Sequence, residues 1–176
     1  TGLPWLSLNL FEAASMSIAI PSGIAIFSWI ATFWGTRPRT QSPLLWVYGF
    51  FFIFILGGIT GVMVASIPFN LQVHDTYFVV AHFHYVLIGT SIFPLLGGLH
   101  FWFPKMTGKM LDEGLGKISF WLSFIGFNVT FFPMHILGFI GMPRQIYTYR
   151  EELNWGDLNL LSSIGGFILG FGVLAF

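Results

Sequence analysis

The sequence predicts an all-α fold: a polytopic bundle of about five membrane-spanning helices. Three observations carry this. The chain of 176 residues is 55% hydrophobic and only 8% charged, where a soluble domain carries about 25% charged residues. Its mean hydropathy is +0.79. Several apolar runs reach the ~20 residues that cross about 30 Å of hydrocarbon at 1.5 Å per residue. Helices are the expected element because they pair every backbone group internally, while an open sheet in lipid cannot.

Five apolar segments follow in order: Trp5–Trp34, Pro43–Ala65, Tyr77–Phe103, Ile118–Phe139 and Leu158–Phe176. The loops between them are Gly35–Ser42, Ser66–Thr76, Pro104–Lys117 and Ile140–Asp157. The first and third loops hold Arg37, Arg39, Lys105, Lys109 and Lys117, and the other two hold only Arg144 and Arg150. That bias places the first and third loops inside. Gly57-x-x-x-Gly61 and Gly166-x-x-x-Gly170 each put two glycines on one helix face, a weak sign of close helix packing that ordinary glycine tolerance explains as well.

Composition narrows the function classes. Without cysteine, the chain holds no disulfide, iron–sulfur cluster or thiolate copper site. Seven Lys and Arg balance seven Asp and Glu, so nothing points to nucleic acid. The 22 Phe and 7 Trp suit a multi-pass protein in a lipid bilayer. No initiator Met or signal peptide precedes the first segment. The last run stops at Phe176 without an anchor. The chain is therefore expected to be one interior part of a single larger membrane domain.

The third segment concentrates the chemistry. His82 and His84 lie two residues apart in an apolar stretch, about 8–10 Å below its outer end. At 100° per residue they point roughly 200° apart, so they suit two metal centres rather than one. Membrane histidines are functional by default, and neutral imidazole is a common haem ligand; two structural histidines bonded to neighbouring helices are the alternative. Phe83 lies between them, on a short route for electrons. His74 and Asp75 precede the helix. Alone they read as a helix cap, with Asp favoured at an N-terminus; with the rest of the pattern they suit a hard divalent ion. Arg144 is either a solvated loop charge or, with haems beneath it, a bidentate partner for a propionate. Glu12, Ser15 and Ser22 share one face of the first segment; the hydroxyls bond to their own backbone or form part of a proton path. His100 and His135 have no pattern around them and are expected to be structural, interfacial or bonded to a neighbouring helix.

The run from His74 to Tyr85 resembles the signature of subunit I of the haem–copper oxygen reductases, the cytochrome c oxidases above all. Ala19-Ile-Pro-Ser-Gly23, Phe27-Ser-Trp-Ile-Ala-Thr32, Gly57-Gly-Ile-Thr-Gly61, Trp102-Phe-Pro104, Phe131-Phe-Pro133 and Gly141-Met-Pro-Arg144 follow in the family's order. The resemblance implies about five helices of a typically twelve-helix subunit. It implies two haems, low-spin and high-spin and of haem A type, and an active-site copper whose ligands lie upstream. His82 corresponds to the high-spin ligand, His84 to one low-spin ligand, and Phe83 to the aromatic between the haems. His74 and Asp75 correspond to an outer magnesium or manganese site, and Arg144 to the first of two propionate-binding arginines.

Three positions depart from the family's pattern. The second arginine is Gln145, an acidic residue before the His-Asp pair is Asn70, and the lysine of one proton pathway is Ala25. An alanine relays no proton, so that route is expected to be rerouted, with Glu12, Ser15 and Ser22 as candidates. The implied activity is reduction of oxygen to water with electrons from cytochrome c, coupled to proton translocation. The implied partners are subunits II and III, and the implied setting is a bacterial inner membrane or a mitochondrial one. The fragment alone is expected to be inactive. A quinol oxidase or nitric oxide reductase of the same superfamily is the alternative; a haem-free scaffold or transporter is the rival from another class.

Overall fold

The computed structural model describes residues 2–176, and their regular structure is helical, with one isolated bridge between Thr76 and Pro143. The elements are α1 (Trp5–Ser17), α2 (Ala19–Phe33), α3 (Ser42–Ala65), α4 (Ile67–Val73) and α5 (Tyr77–Leu87), then a π-helical segment (Ile88–Ile92), α6 (Phe93–Thr107), α7 (Glu113–Phe139) and α8 (Gly156–Leu174). They make five spans long and apolar enough to cross a membrane: Trp5–Phe33, Ser42–Ala65, Tyr77–Thr107, Glu113–Phe139 and Gly156–Leu174. The expected five-helix order holds.

The spans are less regular than expected. The first breaks at Ile18, because Pro21 has no N–H to give the Ser17 carbonyl. The third contains five π-helical residues just before Pro94, which likewise frees the carbonyl of Thr90. The loop expected over Ser66–Thr76 contains α4.

Two boundaries of the Pro104–Lys117 loop also move. The third span runs to Thr107 rather than Phe103, ending where Gly108 takes φ +72° and donates to Pro104 O. The fourth starts at Glu113 rather than near Ile118. Asp112 caps it, accepting from Leu115 N at 2.7 Å. Glu113 then takes Ser42 N at 2.9 Å and Lys117 Nζ at 3.3 Å, tying the N-terminal ends of the second and fourth spans together.

The core lies between α3, α5, α6 and α7. Trp46, Tyr85, Phe93, Phe120 and Phe127 are buried there in edge-to-face contact, with Ile53 in the same core. α8 closes on α7 through small residues: Gly126 backs onto the backbone of Leu169, Gly165 onto that of Thr130, and Gly172 onto Ser123. Ser119 Oγ donates to Gly172 O at 2.7 Å across the same seam. Gly166 and Gly170 face open space, so the glycine pair singled out in α8 is not its packing face. Gly57 and Gly61 do pack, against Tyr85 and His82.

Candidate functional site

α5 places His82 and His84 against different neighbours. His82 faces α3, with its Cε1 edge 3.0 Å from where a Cβ on Gly61 would stand. His84 faces α7, stacked between Phe83 at 4.4 Å and Phe131 at 4.1 Å. The two-sided arrangement expected from the 100° step is therefore present. His84 Nδ1 lies 2.7 Å from Val80 O. A carbonyl only accepts, so Nδ1 carries the hydrogen and Nε2 keeps its lone pair. His82 Nδ1 lies 3.1 Å from Thr60 Oγ1. Both rings thus use Nδ1 within the protein, the arrangement typical of metal-ligating histidines.

Tyr85 sits beside this pair and is fully buried. Its hydroxyl donates to Asn128 Oδ1 at 2.9 Å, and Asn128 Nδ2 donates to Phe124 O. This link pins α5 to the middle of α7. Gly138 lets the C-terminal end of α7 approach the backbone of Phe78. Thr60, Asn128 and Phe131 were not legible as site residues. The signals were the motifs Gly57-Gly-Ile-Thr-Gly61 and Phe131-Phe-Pro133, which contain Thr60 and Phe131; nothing marked Asn128.

The Ser66–Thr76 and Ile140–Asp157 loops meet as expected of two segments at one end of the bundle. Arg144 N donates to Asp75 O and Tyr77 N to Met142 O, on either side of the Thr76–Pro143 bridge. Arg144 Nη2 is 2.5 Å from Asp75 Oδ1, and His74 Nε2 is 3.5 Å from Asp75 Oδ2. The cap expected of the His-Asp pair is supplied instead by Thr76, whose hydroxyl accepts from Phe78 N at 3.2 Å. Asp75 takes φ +58°, directing its carboxylate to the arginine rather than to the helix end. Two residues fall short of the six to eight oxygens a hard ion takes. Among the described residues no cluster of three or more His, Cys, Asp or Glu stands ready for a metal.

Glu12, Ser15 and Ser22 are not brought together. Glu12 Oε1 accepts from Ile67 N at 3.3 Å, tying α1 to α4. Ser22 Oγ donates to its own helix at Ile18 O, and the break at Ile18 separates it from the other two. His100 is buried and interior, donating to Leu96 O on its own helix and packed on Trp46 and Phe176. His135 is 8% exposed, and neither ring nitrogen has a partner among the described residues. It therefore lacks the expected bond to a neighbouring helix. It sits against Phe78 and Tyr85 beside a cavity of about 220 Å³ lined also by Thr60 and Met63.

The chain is similar to known proteins over its whole length. The family profile described as cytochrome c and quinol oxidase polypeptide I matches residues 1–168. Cytochrome c oxidase subunit 1 of Synechocystis sp. is 52% identical over 177 aligned positions, covering 100% of this chain and 32% of the relative. The same subunit of Bacillus subtilis is 50% identical, covering 99% and 28%. The chain thus spans about a third or less of the curated relatives it matches. Among solved structures, a heme-copper terminal oxidase dimer superposes with TM-score 0.85 at 20% identity, over 99% of this chain and 36% of that one. An all-helical membrane fold, the order of its motifs and half-identical relatives converge: the chain belongs to the haem–copper oxidase subunit I family.

Proposed function

We propose that this segment supplies one axial ligand to each of two haems, His82 to the high-spin haem and His84 to the low-spin haem. One observation supports this most directly: two histidines on one membrane helix face different neighbours, each with Nδ1 bonded inside the protein. Haem suits both donors, since neutral imidazole nitrogen is its usual protein ligand. Phe83, stacked on His84, lies between the two ligands along the chain. When bound, the haems and an active-site copper supply the electron and oxygen chemistry. The protein's part is to hold and orient these groups and to exclude water.

In the whole subunit we assign this core to oxygen reduction to water with electrons from cytochrome c, coupled to proton translocation. The haems are read as haem A type and the copper ligands as residues upstream of Thr1. Subunits II and III in a bacterial inner membrane complete the setting, in keeping with the bacterial relatives. Arg144 is assigned to a haem propionate, and the His74–Asp75 pair to a divalent ion completed by other ligands. Ala25 cannot relay a proton, and since Glu12, Ser15 and Ser22 do not meet within this segment, a route that uses them needs links from the rest of the subunit. Unchanged turnover in Ser22→Ala would remove Ser22 from that route.

The test is a reduced-minus-oxidised optical spectrum of the full enzyme. His82→Asn is expected to lose the high-spin bands and keep the low-spin ones, and His84→Asn the reverse. Both sets of bands surviving both substitutions would overturn the assignment.

A further inference from the structure

The His84 ring has an aromatic ring against each face. Phe83 lies 4.4 Å from it at an interplanar angle of 29°, and Phe131 lies 4.1 Å from it at 17°. The bond from Nδ1 to Val80 O, at 2.7 Å, holds one edge of the imidazole. A bond along one edge does not settle the plane of the ring. The outer torsion of a histidine side chain is broad, so the imidazole can rock about that tether. Flat contacts on both faces remove this freedom. Phe83 belongs to the same helix as His84 and moves with it, whereas Phe131 comes from α7.

Phe131 is itself held firmly. It is 8% exposed and packs on Phe127 at 4.9 Å, and Phe127 packs in turn on Tyr85 of α5 at 5.0 Å. Behind it, Gly165 of α8 backs onto the Thr130 backbone, so this turn of α7 has no room to withdraw from α5.

We propose that Phe131 is a positioning residue that fixes the plane of the His84 imidazole, so that iron bound at Nε2 meets a ring whose rotation is set by α7. This rests on the reading of His84 as a low-spin haem ligand. Groups around a ligating histidine fix its orientation as well as its tautomer. The stacked face does the first here and the Val80 carbonyl does the second. The angle between the planes of two axial imidazoles governs how the iron d orbitals split. A ring clamped by α7 therefore holds that splitting at one value.

The experiment compares Phe131→Leu and Phe131→Tyr in the full oxidase. Leucine keeps an apolar filling and loses the flat face; tyrosine keeps the face. The readout is the low-field g value of the ferric low-spin haem by electron paramagnetic resonance, which follows the angle between the ligand planes. Phe131→Leu is expected to shift and broaden that signal, because the ring then takes a spread of orientations, while Phe131→Tyr leaves it in place. The optical low-spin bands of the same samples count the haem, so a shift is not confused with a loss. Phe131→Met, which fills more of the ring's volume, is read instead if leucine loses those bands. An unmoved and unbroadened signal on loss of the ring, or an equal change with tyrosine, overturns the assignment of Phe131. A low-spin signal that survives His84→Asn overturns the haem-ligand reading itself, and this assignment with it.

Discussion

Replacing Gly165 with alanine should loosen the fourth and fifth spans, while the same change one residue later should not. A Cβ at Gly165 would stand 2.5 Å from Thr130 N, 2.7 Å from Val129 C and 2.8 Å from Thr130 Oγ1. Two of those three atoms are backbone, so no side chain can swing aside. Restoring contacts near 3.5 Å requires α8 to withdraw by about 1 Å, and a gap of that size forfeits a quarter to a half of each dispersion contact. It also stretches the Ser119–Gly172 hydrogen bond on the same seam. Overpacking of this kind costs about 1–3 kcal/mol. Gly166 faces open space, so Gly166→Ala meets nothing and removes a flexible residue from a helix. The assay is thermal denaturation of both variants in the same detergent, as full-length enzyme. Gly165→Ala should melt below the parent and Gly166→Ala at or above it. Equal behaviour of the two, or the reverse order, would refute this account of the α7–α8 seam.

Two further outcomes follow from the site. Tyr85→Phe should cost about 1–2 kcal/mol in the same melting assay, because it strands Asn128 Oδ1 in the bundle interior. Thr76→Ala should lower stability by about 1 kcal/mol through loss of the α5 cap. Asp75→Asn, which keeps a residue tolerant of φ +58°, should change it by less than that, because the Asp75–Arg144 pair is 55% and 39% exposed.

Much of this architecture was legible in the residues. Hydropathy gave five spans, and the 100° step separated His82 from His84, because both signals depend on periodicity alone. The misses have local causes. A proline breaks a helix at a distance of four residues, so Pro21 and Pro94 act at Ile18 and at the π segment, inside runs whose hydropathy is unbroken. Asp112 and Glu113 start α7 in a stretch too polar to count as apolar, because capping and an ion pair set the boundary there. Which glycine packs depends on how one helix is rotated against the next. Sequence spacing favoured Gly166 and Gly170, and the seam runs through Gly165 and Gly172. The partner of His82 was hidden for the same reason, since Thr60 is 22 residues away in sequence.

The π-helical segment at Ile88–Ile92 changes how the third span should be compared with others. A π turn places one more residue between bonded partners than an α turn does. The faces of α5 and α6 therefore stand in different angular phase, offset by about 100°. A helical wheel drawn through Tyr77–Thr107 as one regular helix would assign His100 to the wrong side relative to His84. In a pairwise alignment, a one-residue gap placed within Ile88–Ile92 would mean only that one turn had rewound. The half that carries His82 and His84 and the half that carries His100 would each keep their own contacts.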